Sequence, residues 1–159
     1  GIWANGGSMG HGLPIACGMA LSKKLKGEEG KIYCIMSDGE MNEGTTWECA
    51  MFAAHHKLDN LVVIVDKNRW QAMGKTEEVL NVSPARAFEG FDWKVNQING
   101  HLCFEIVFAL QDDHGNRPKV IVADTIKGKG ISFMENHLLF HYKHVSDEDY
   151  EKAVKELTL

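Results

Sequence analysis

Leu61-Val62-Val63-Ile64-Val65-Asp66 is an unbroken aliphatic run, rich in β-branched residues, that stops at a carboxylate. Such a run suits a strand covered on both faces, the usual state in a parallel sheet. Upstream, Lys31-Ile32-Tyr33-Cys34-Ile35-Met36 is a second apolar run that stops at Ser37-Asp38-Gly39. Downstream, Lys94 to Ile98 and Lys119-Val120-Ile121-Val122-Ala123-Asp124 supply two further strands. The segments between them read as helices. Cys17, Leu21 and Leu25, with Ile15 and Met19 beside them, fall at helical spacing from Leu13 to Leu25. Similar stretches run from about Glu43 to His56 and from Phe104 to Gln111, the latter followed by a turn at Asp113 to Pro118. Ser146 opens a last amphipathic helix as N-cap, with an acidic first turn. Strands alternating with helices predict an α/β fold, a three-layer arrangement with a parallel sheet flanked by helices. No repeat or linker divides residues 1–159, so one domain is expected.

Composition narrows the classes. The 159 residues are 44% hydrophobic and 25% charged, enough apolar matter for a core and too much for a disordered chain. No apolar run is long enough to span a membrane. Seventeen basic against 22 acidic residues give a net charge of −5, and the basic residues form no runs that would track a phosphate backbone, so no nucleic-acid partner is expected. Cys17, Cys34, Cys49 and Cys103 show neither a CxxC pair nor a zinc spacing. They read as free thiols in a reducing, cytoplasmic compartment. The chain starts at Gly1 without a methionine and runs at once into a glycine-rich loop, which reads as a cut.

In an open parallel sheet, ligands bind outside the carboxyl ends of the strands. There the sequence places Ser37-Asp38-Gly39-Glu40, Asp66-Lys67-Asn68-Arg69-Trp70 and Thr125-Ile126-Lys127-Gly128. Asp38 and Asn68 offer hard oxygen ligands of the kind that suit Mg²⁺. Backbone N–H groups at the start of the Glu43 helix would favour the anionic end of a ligand. Asp-Gly after a strand is also an ordinary turn, so spacing alone leaves both readings open. Gly6-Gly7-Ser8-Met9-Gly10-His11-Gly12 is neither a dinucleotide fingerprint, having no strand before it, nor a P-loop, lacking the Gly-Lys-Ser/Thr ending.

Taken together, five segments resemble the thiamin diphosphate-binding domain of transketolase, most closely the form that some bacteria encode as a separate N-terminal subunit. They are Gly7 to Leu13, Ser37 to Gly44, Ala53 to Leu61, Asp66-Lys67-Asn68 and Ile126 to Asn136, in the family's order along nearly the whole chain. The family's motif, Gly-Asp-Gly followed by Asn about 30 residues after the Asp, is matched by Asp38 and Asn68.

The resemblance implies a thiamin diphosphate-binding fold, here the diphosphate-binding domain, and transfer of a two-carbon ketol unit from a ketose to an aldose. The metal motif is shared with the 2-oxo acid dehydrogenase E1 component and deoxyxylulose phosphate synthase, which stand as alternatives, as does a fragment that only binds the cofactor; the Gly7 to Leu13 loop and Lys127 to Asn136 favour transketolase. It implies Mg²⁺, with Ca²⁺ or Mn²⁺ as possible substitutes, held by Asp38, Asn68 and the backbone carbonyl of Trp70. Gly39 would give its N–H to the diphosphate. Gly7 and Met9 would hold the aminopyrimidine through carbonyls, with His11 nearby, and Ile126 would line the cofactor wall. His141, with Lys127 beside it, would match the family's late histidine, which touches the diphosphate and the reacting centre. Glu43 would match an acidic residue that meets the partner near the cofactor and relays protons. His55 and His56 carry no catalytic assignment; being consecutive on a helix, one should pack and one face water.

The expected partner is the pyrimidine-binding, C-terminal domain or subunit, which brings the activating glutamate, in a homodimer or heterotetramer acting on sugar substrates. By the same analogy roughly a hundred residues precede the point where this chain begins. Ser37 replaces the motif's first glycine, Leu102 stands where many relatives have aspartate, and Tyr142 where many have glycine. The last two bear on the substrate mouth, not on the cofactor.

Overall fold

The aliphatic Leu61 run is a central strand. The computed structural model describes residues 2–158. In chain order, α1 (Gly12–Lys26), β1 (Ile32–Ser37), α2 (Gly44–His55) and β2 (Leu61–Lys67) come first. A short hairpin follows, β3 (Trp70–Gln71) and β4 (Gly74–Lys75), then the short helices α3 (Thr76–Val79) and α4 (Pro84–Gly90). The chain continues through β5 (Lys94–Asn99), α5 (Cys103–Gln111), β6 (Lys119–Asp124) and α6 (Asp147–Leu157). Single 3-10 turns occupy Asp38–Asn42 and Leu138–His141.

The main sheet is parallel throughout, in the order β1-β2-β6-β5. The two all-apolar runs lie in the middle, while polar Asn96 and Gln97 belong to the edge strand β5. From β1 through β2 to β5 the chain advances across the sheet, then it steps back so that β6 inserts between β2 and β5. Right-handed crossovers in opposite directions put their helices on opposite faces. That is what the core shows. Leu13, Ala16 and Ala20 of α1, Ala50 and Ala53 of α2 and Phe88 of α4 cover Cys34, Met36, Val63, Val65, Val120 and Val122 on one face. Ala109 and Leu110 of α5 cover Val62, Ile98 and Ile121 on the other. The predicted three layers are therefore present, although on the second face Tyr33 and Ile35 of β1 remain exposed, at 55% and 76%.

Two buried polar side chains tie helices to the sheet. The Trp93 indole N–H donates to the Ala50 carbonyl at 2.9 Å, joining the start of β5 to α2. Lys119 is fully buried, and its ammonium donates to the carbonyls of Ala109 at 2.8 Å and Asp112 at the end of α5. The lysine thus supplies donors to the carbonyls that a helix C-terminus leaves without partners. Burial pulls its pKa below the ordinary lysine value.

Differences from expectation are local. The second helix starts at Gly44, not Glu43, because Asp38–Asn42 forms its own 3-10 turn and Glu43 is the extended N-cap of α2. His55 and His56 are both exposed, the His56 ring lying 4.3 Å from that of Phe52, so neither packs into the core. Among the described residues no helix is long and apolar enough to cross a membrane.

Replacing Lys119 by Met should leave the α5 carbonyls buried without donors and cost about 2–3 kcal/mol. Urea titration should show a lower midpoint with an unchanged slope.

Candidate functional site

The carboxyl ends of β1 and β2 meet at Asp38, and the end of β6 reaches them through Asp66. Ser37 closes β1 and caps the 3-10 turn: its hydroxyl accepts from the Glu40 N–H at 3.3 Å, while the Glu40 carboxylate accepts from the Ser37 N–H at 3.1 Å. This is a capping box, and it holds Asp38 and Gly39 just beyond the strand end. Asp38 is 6% exposed. Its Oδ2 accepts from the Arg69 N–H at 2.9 Å and from the Thr76 hydroxyl at 2.9 Å. Its Oδ1 is buried and has no partner. Burial raises the Asp38 pKa above its ordinary value, the two hydrogen bonds oppose that, and the nearby Asp66 charge adds to it.

The loop after β2 brings Asn68 to the same place. Asn68 donates from its amide to Asp66 at 3.0 Å, and its Oδ1 accepts from the Trp70 N–H at 2.9 Å. Asp66 also accepts from the Thr125 hydroxyl at the end of β6. Arg69 sits between Asn68 and Trp70 with φ at +67°, a left-handed conformation that costs a side-chain-bearing residue energy. That backbone turn is what aims the Arg69 N–H at Asp38. The Arg69 guanidinium and Lys67 both pair with Asp124.

The glycine-rich loop lies against this turn. Gly10 donates its N–H to Glu40 at 2.9 Å, and its carbonyl accepts from the Thr45 hydroxyl at 2.9 Å. Its φ is +75°, and an added Cβ would lie 2.5 Å from the Thr45 hydroxyl oxygen, so only glycine fits. A Cβ on Gly39 would meet Gln71 Cβ at 3.3 Å and Met9 Cε at 3.7 Å, a close approach of three segments. His11 is exposed, its Nδ1 3.0 Å from the Met9 carbonyl and 3.2 Å from the Ser8 hydroxyl. Gly7 has open space around it.

The segment after β6 closes the other side. The Ile126 N–H donates to His101 Nε2 at 2.8 Å. Asn136 N–H donates to the Lys127 carbonyl at 2.9 Å, and Gly128, with φ at +72°, packs against the Met134 backbone. The 3-10 turn ending at His141 packs on β3, and the Trp70 indole donates to Asn136 at 3.3 Å. His141 is exposed, yet partial desolvation and then the Lys127 charge hold its pKa below the ordinary histidine value.

The structure thus gathers Asp38, Gly39, Asn68, Trp70 and Met9 at one strand-end site, with Lys127 close to His141. Glu43 borders it as the N-cap of α2, partly buried and making no side-chain cap. Thr76, Glu40, Asp66 and Thr125 belong to the same network; the sequence puts the last three at strand ends without giving them a role, and does not point to Thr76. Of these, Glu40 had a signal, the Ser-x-x-Glu of a capping box; Thr76 had none, lying 38 positions from its partner with no periodicity to mark it. No cluster of three His, Cys, Asp or Glu side chains that could hold a metal occurs among the described residues. A carboxylate, an amide and a backbone carbonyl form a different donor set, suited to Mg²⁺. The orphaned, buried Oδ1 of Asp38 fits such an ion.

Residues 1–159 match the family model described as "Transketolase, thiamine diphosphate binding domain". The chain belongs to the transketolase family, as its N-terminal, cofactor-binding section. It is 40% identical over 159 residues to one of the subunits of the apulose-4-phosphate transketolase of Actinobacillus succinogenes, covering 99% of this chain and 58% of that one. It is 39% identical over 160 residues to the 6-deoxy-6-sulfo-D-fructose transketolase subunit SqwG of a Clostridium species, with the same coverage of 99% and 58%. The transketolase crystal structure from Campylobacter jejuni superposes with a TM-score of 0.89 at 31% identity, over 95% of this chain and 25% of that one. The chain therefore spans little more than half of these subunits and a quarter of the single-chain enzyme.

Two measurements follow. Asp38→Asn should raise the melting temperature of the cofactor-free protein at neutral pH by a few degrees, because it removes a buried charge. The gain should shrink as pH falls: the wild-type carboxyl takes up its proton at its raised folded pKa, before the unfolded chain does, so acid relieves the same penalty. Lys127→Met should move the His141 pKa upward, read by NMR titration of the imidazole protons.

Proposed function

We propose that this chain is the diphosphate-binding section of a Mg²⁺- and thiamin diphosphate-dependent transketolase that moves a two-carbon ketol unit from a ketose to an aldose. The observation that carries the proposal is Asp38, a buried carboxylate with one oxygen fastened and the other without a partner, beside Asn68 and Trp70. Asp38, the Asn68 amide oxygen and the Trp70 carbonyl would hold the metal, with Asp66 orienting the Asn68 amide. Gly39 would present its N–H to the diphosphate. Gly7 and Met9 would face the aminopyrimidine, with His11 behind Met9 and Ile126 on the cofactor wall.

When bound, thiamin diphosphate supplies the carbanion chemistry that cleaves a ketose beside its carbonyl. His141, whose pKa partial desolvation and the Lys127 charge hold below the ordinary histidine value, would accept or return a proton at the substrate hydroxyl, with Lys127 beside it for anionic oxygens. Glu43, at the edge of the site, would meet the partner.

The relatives' names, which describe separate subunits, and the partial coverage of the full-length enzymes support a partner that carries the pyrimidine-binding C-terminal domain, fused or separate, in a homodimer or heterotetramer. The names of two relatives specify a sugar phosphate and a sulfo-sugar, so the substrate proposed is a ketose with an anionic end.

The test is two-carbon transfer by the complete enzyme containing this chain, with a panel of phosphorylated and sulfonated ketose donors and aldose acceptors. Transfer that requires Mg²⁺ and thiamin diphosphate, and that falls at least about a thousandfold in Asp38→Ala, is the expected result. Consumption of 2-oxo acids with no ketol transfer would overturn it and place the enzyme in the decarboxylating branch. Cofactor binding without any turnover in the complete enzyme would leave only a binding module.

A further inference from the structure

We infer that Glu40 is a positioning residue for the cofactor: its carboxylate fastens the glycine-rich loop to the turn that carries Asp38, so the two halves of the site form one rigid unit. The inference rests on the functional reading above and adds to it a residue that touches neither metal nor cofactor.

A capping box needs one carboxylate oxygen, and here Oε2 fills that role by accepting from the Ser37 N–H at 3.1 Å. The other oxygen is not left to solvent. Oε1 accepts from the Gly10 N–H at 2.9 Å, across 30 positions of sequence. The main chain of Glu40 is fixed as well, its N–H donating to Ser37 at 3.3 Å and its carbonyl accepting from the Thr46 hydroxyl at 3.0 Å. At the far end, Gly10 is held twice, by Glu40 at its N–H and by Thr45 at its carbonyl, in a conformation and a space that only glycine fits. Among the described residues, the loop preceding it makes no hydrogen bond to the sheet: His11 turns its ring back onto Met9 and Ser8.

The chemistry makes Glu particular. Both backbone partners are donors, so both side-chain atoms must be acceptors. A glutamine offers one acceptor and one amide that faces an N–H, and must release either Ser37 or Gly10. An aspartate is one methylene too short to span both. If the loop is released, its ordering falls on the binding step, which weakens cofactor affinity without changing the geometry once the cofactor is seated.

The experiment compares wild type with Glu40→Gln in the complete enzyme. Cofactor-free protein is followed by hydrogen exchange over residues 8–11. Thiamin diphosphate is then titrated at saturating Mg²⁺ by quenching of tryptophan fluorescence, and kcat is measured at saturating cofactor. The expected result is faster exchange at Gly10, a cofactor Kd raised about tenfold or more, and kcat within about twofold. Wild-type exchange and affinity in Glu40→Gln would overturn the inference alone. So would a lowered kcat with unchanged Kd. A wild-type enzyme that binds no thiamin diphosphate would overturn the cofactor reading and the inference with it, which separates the two failures.

Discussion

β2 and β6 pair in parallel along their length, from Val62 opposite Lys119 to Lys67 opposite Asp124, although the hairpin, two short helices, β5 and α5 all intervene in sequence. Everything chemical depends on that pairing. It inserts β6 between β2 and β5, which sends α5 to the opposite face from α2 and α4. It also brings the loop after β2 and the segment after β6 side by side, with the Thr125 N–H extending the ladder to the Lys67 carbonyl at 3.2 Å. Such a crevice, where the strand order reverses, is where open α/β sheets bind ligands.

At that crevice the protein accepts unfavourable local states and secures them from outside. Asp38 is buried with one oxygen bare, and Arg69 adopts a left-handed backbone without being glycine. Neither persists unless the surroundings over-determine it. Thr76 and the Arg69 N–H hold one oxygen of Asp38, Asp66 holds the Asn68 amide, and Thr125 holds Asp66 from the neighbouring strand.

The strands were legible in the sequence because their signal is local. Lys119 to Asp124 falls where the apolar run does, and the Leu61 run extends by one residue to Lys67. The hairpin, α3 and α4 left no such trace. They are short and are held by tertiary hydrogen bonds, such as Thr76 N–H to the Arg69 carbonyl at 3.0 Å and the Asn42 amide to the Leu80 carbonyl at 3.1 Å. For the site, residue types at strand ends and the family pattern placed Asp38 and Asn68 correctly at one edge. The capping box was readable but hidden behind the expectation that Ser37 merely replaced a glycine. The partnership of Asp38 with Thr76 was not readable, since nothing local couples the two positions.

The four thiols differ in a way that has a practical side. Cys17 and Cys34 are buried, and burial pushes their pKa values up to about 12 and about 11; Cys49, half-buried beside Cys17, is raised too. Thiols held protonated react slowly with electrophiles. Cys103 alone among the four is exposed, at the start of α5, two positions after the histidine that accepts the Ile126 N–H. A maleimide dye would therefore attach selectively at Cys103, near Ile126 and the segment after β6, giving an optical reporter of that segment without any engineered residue.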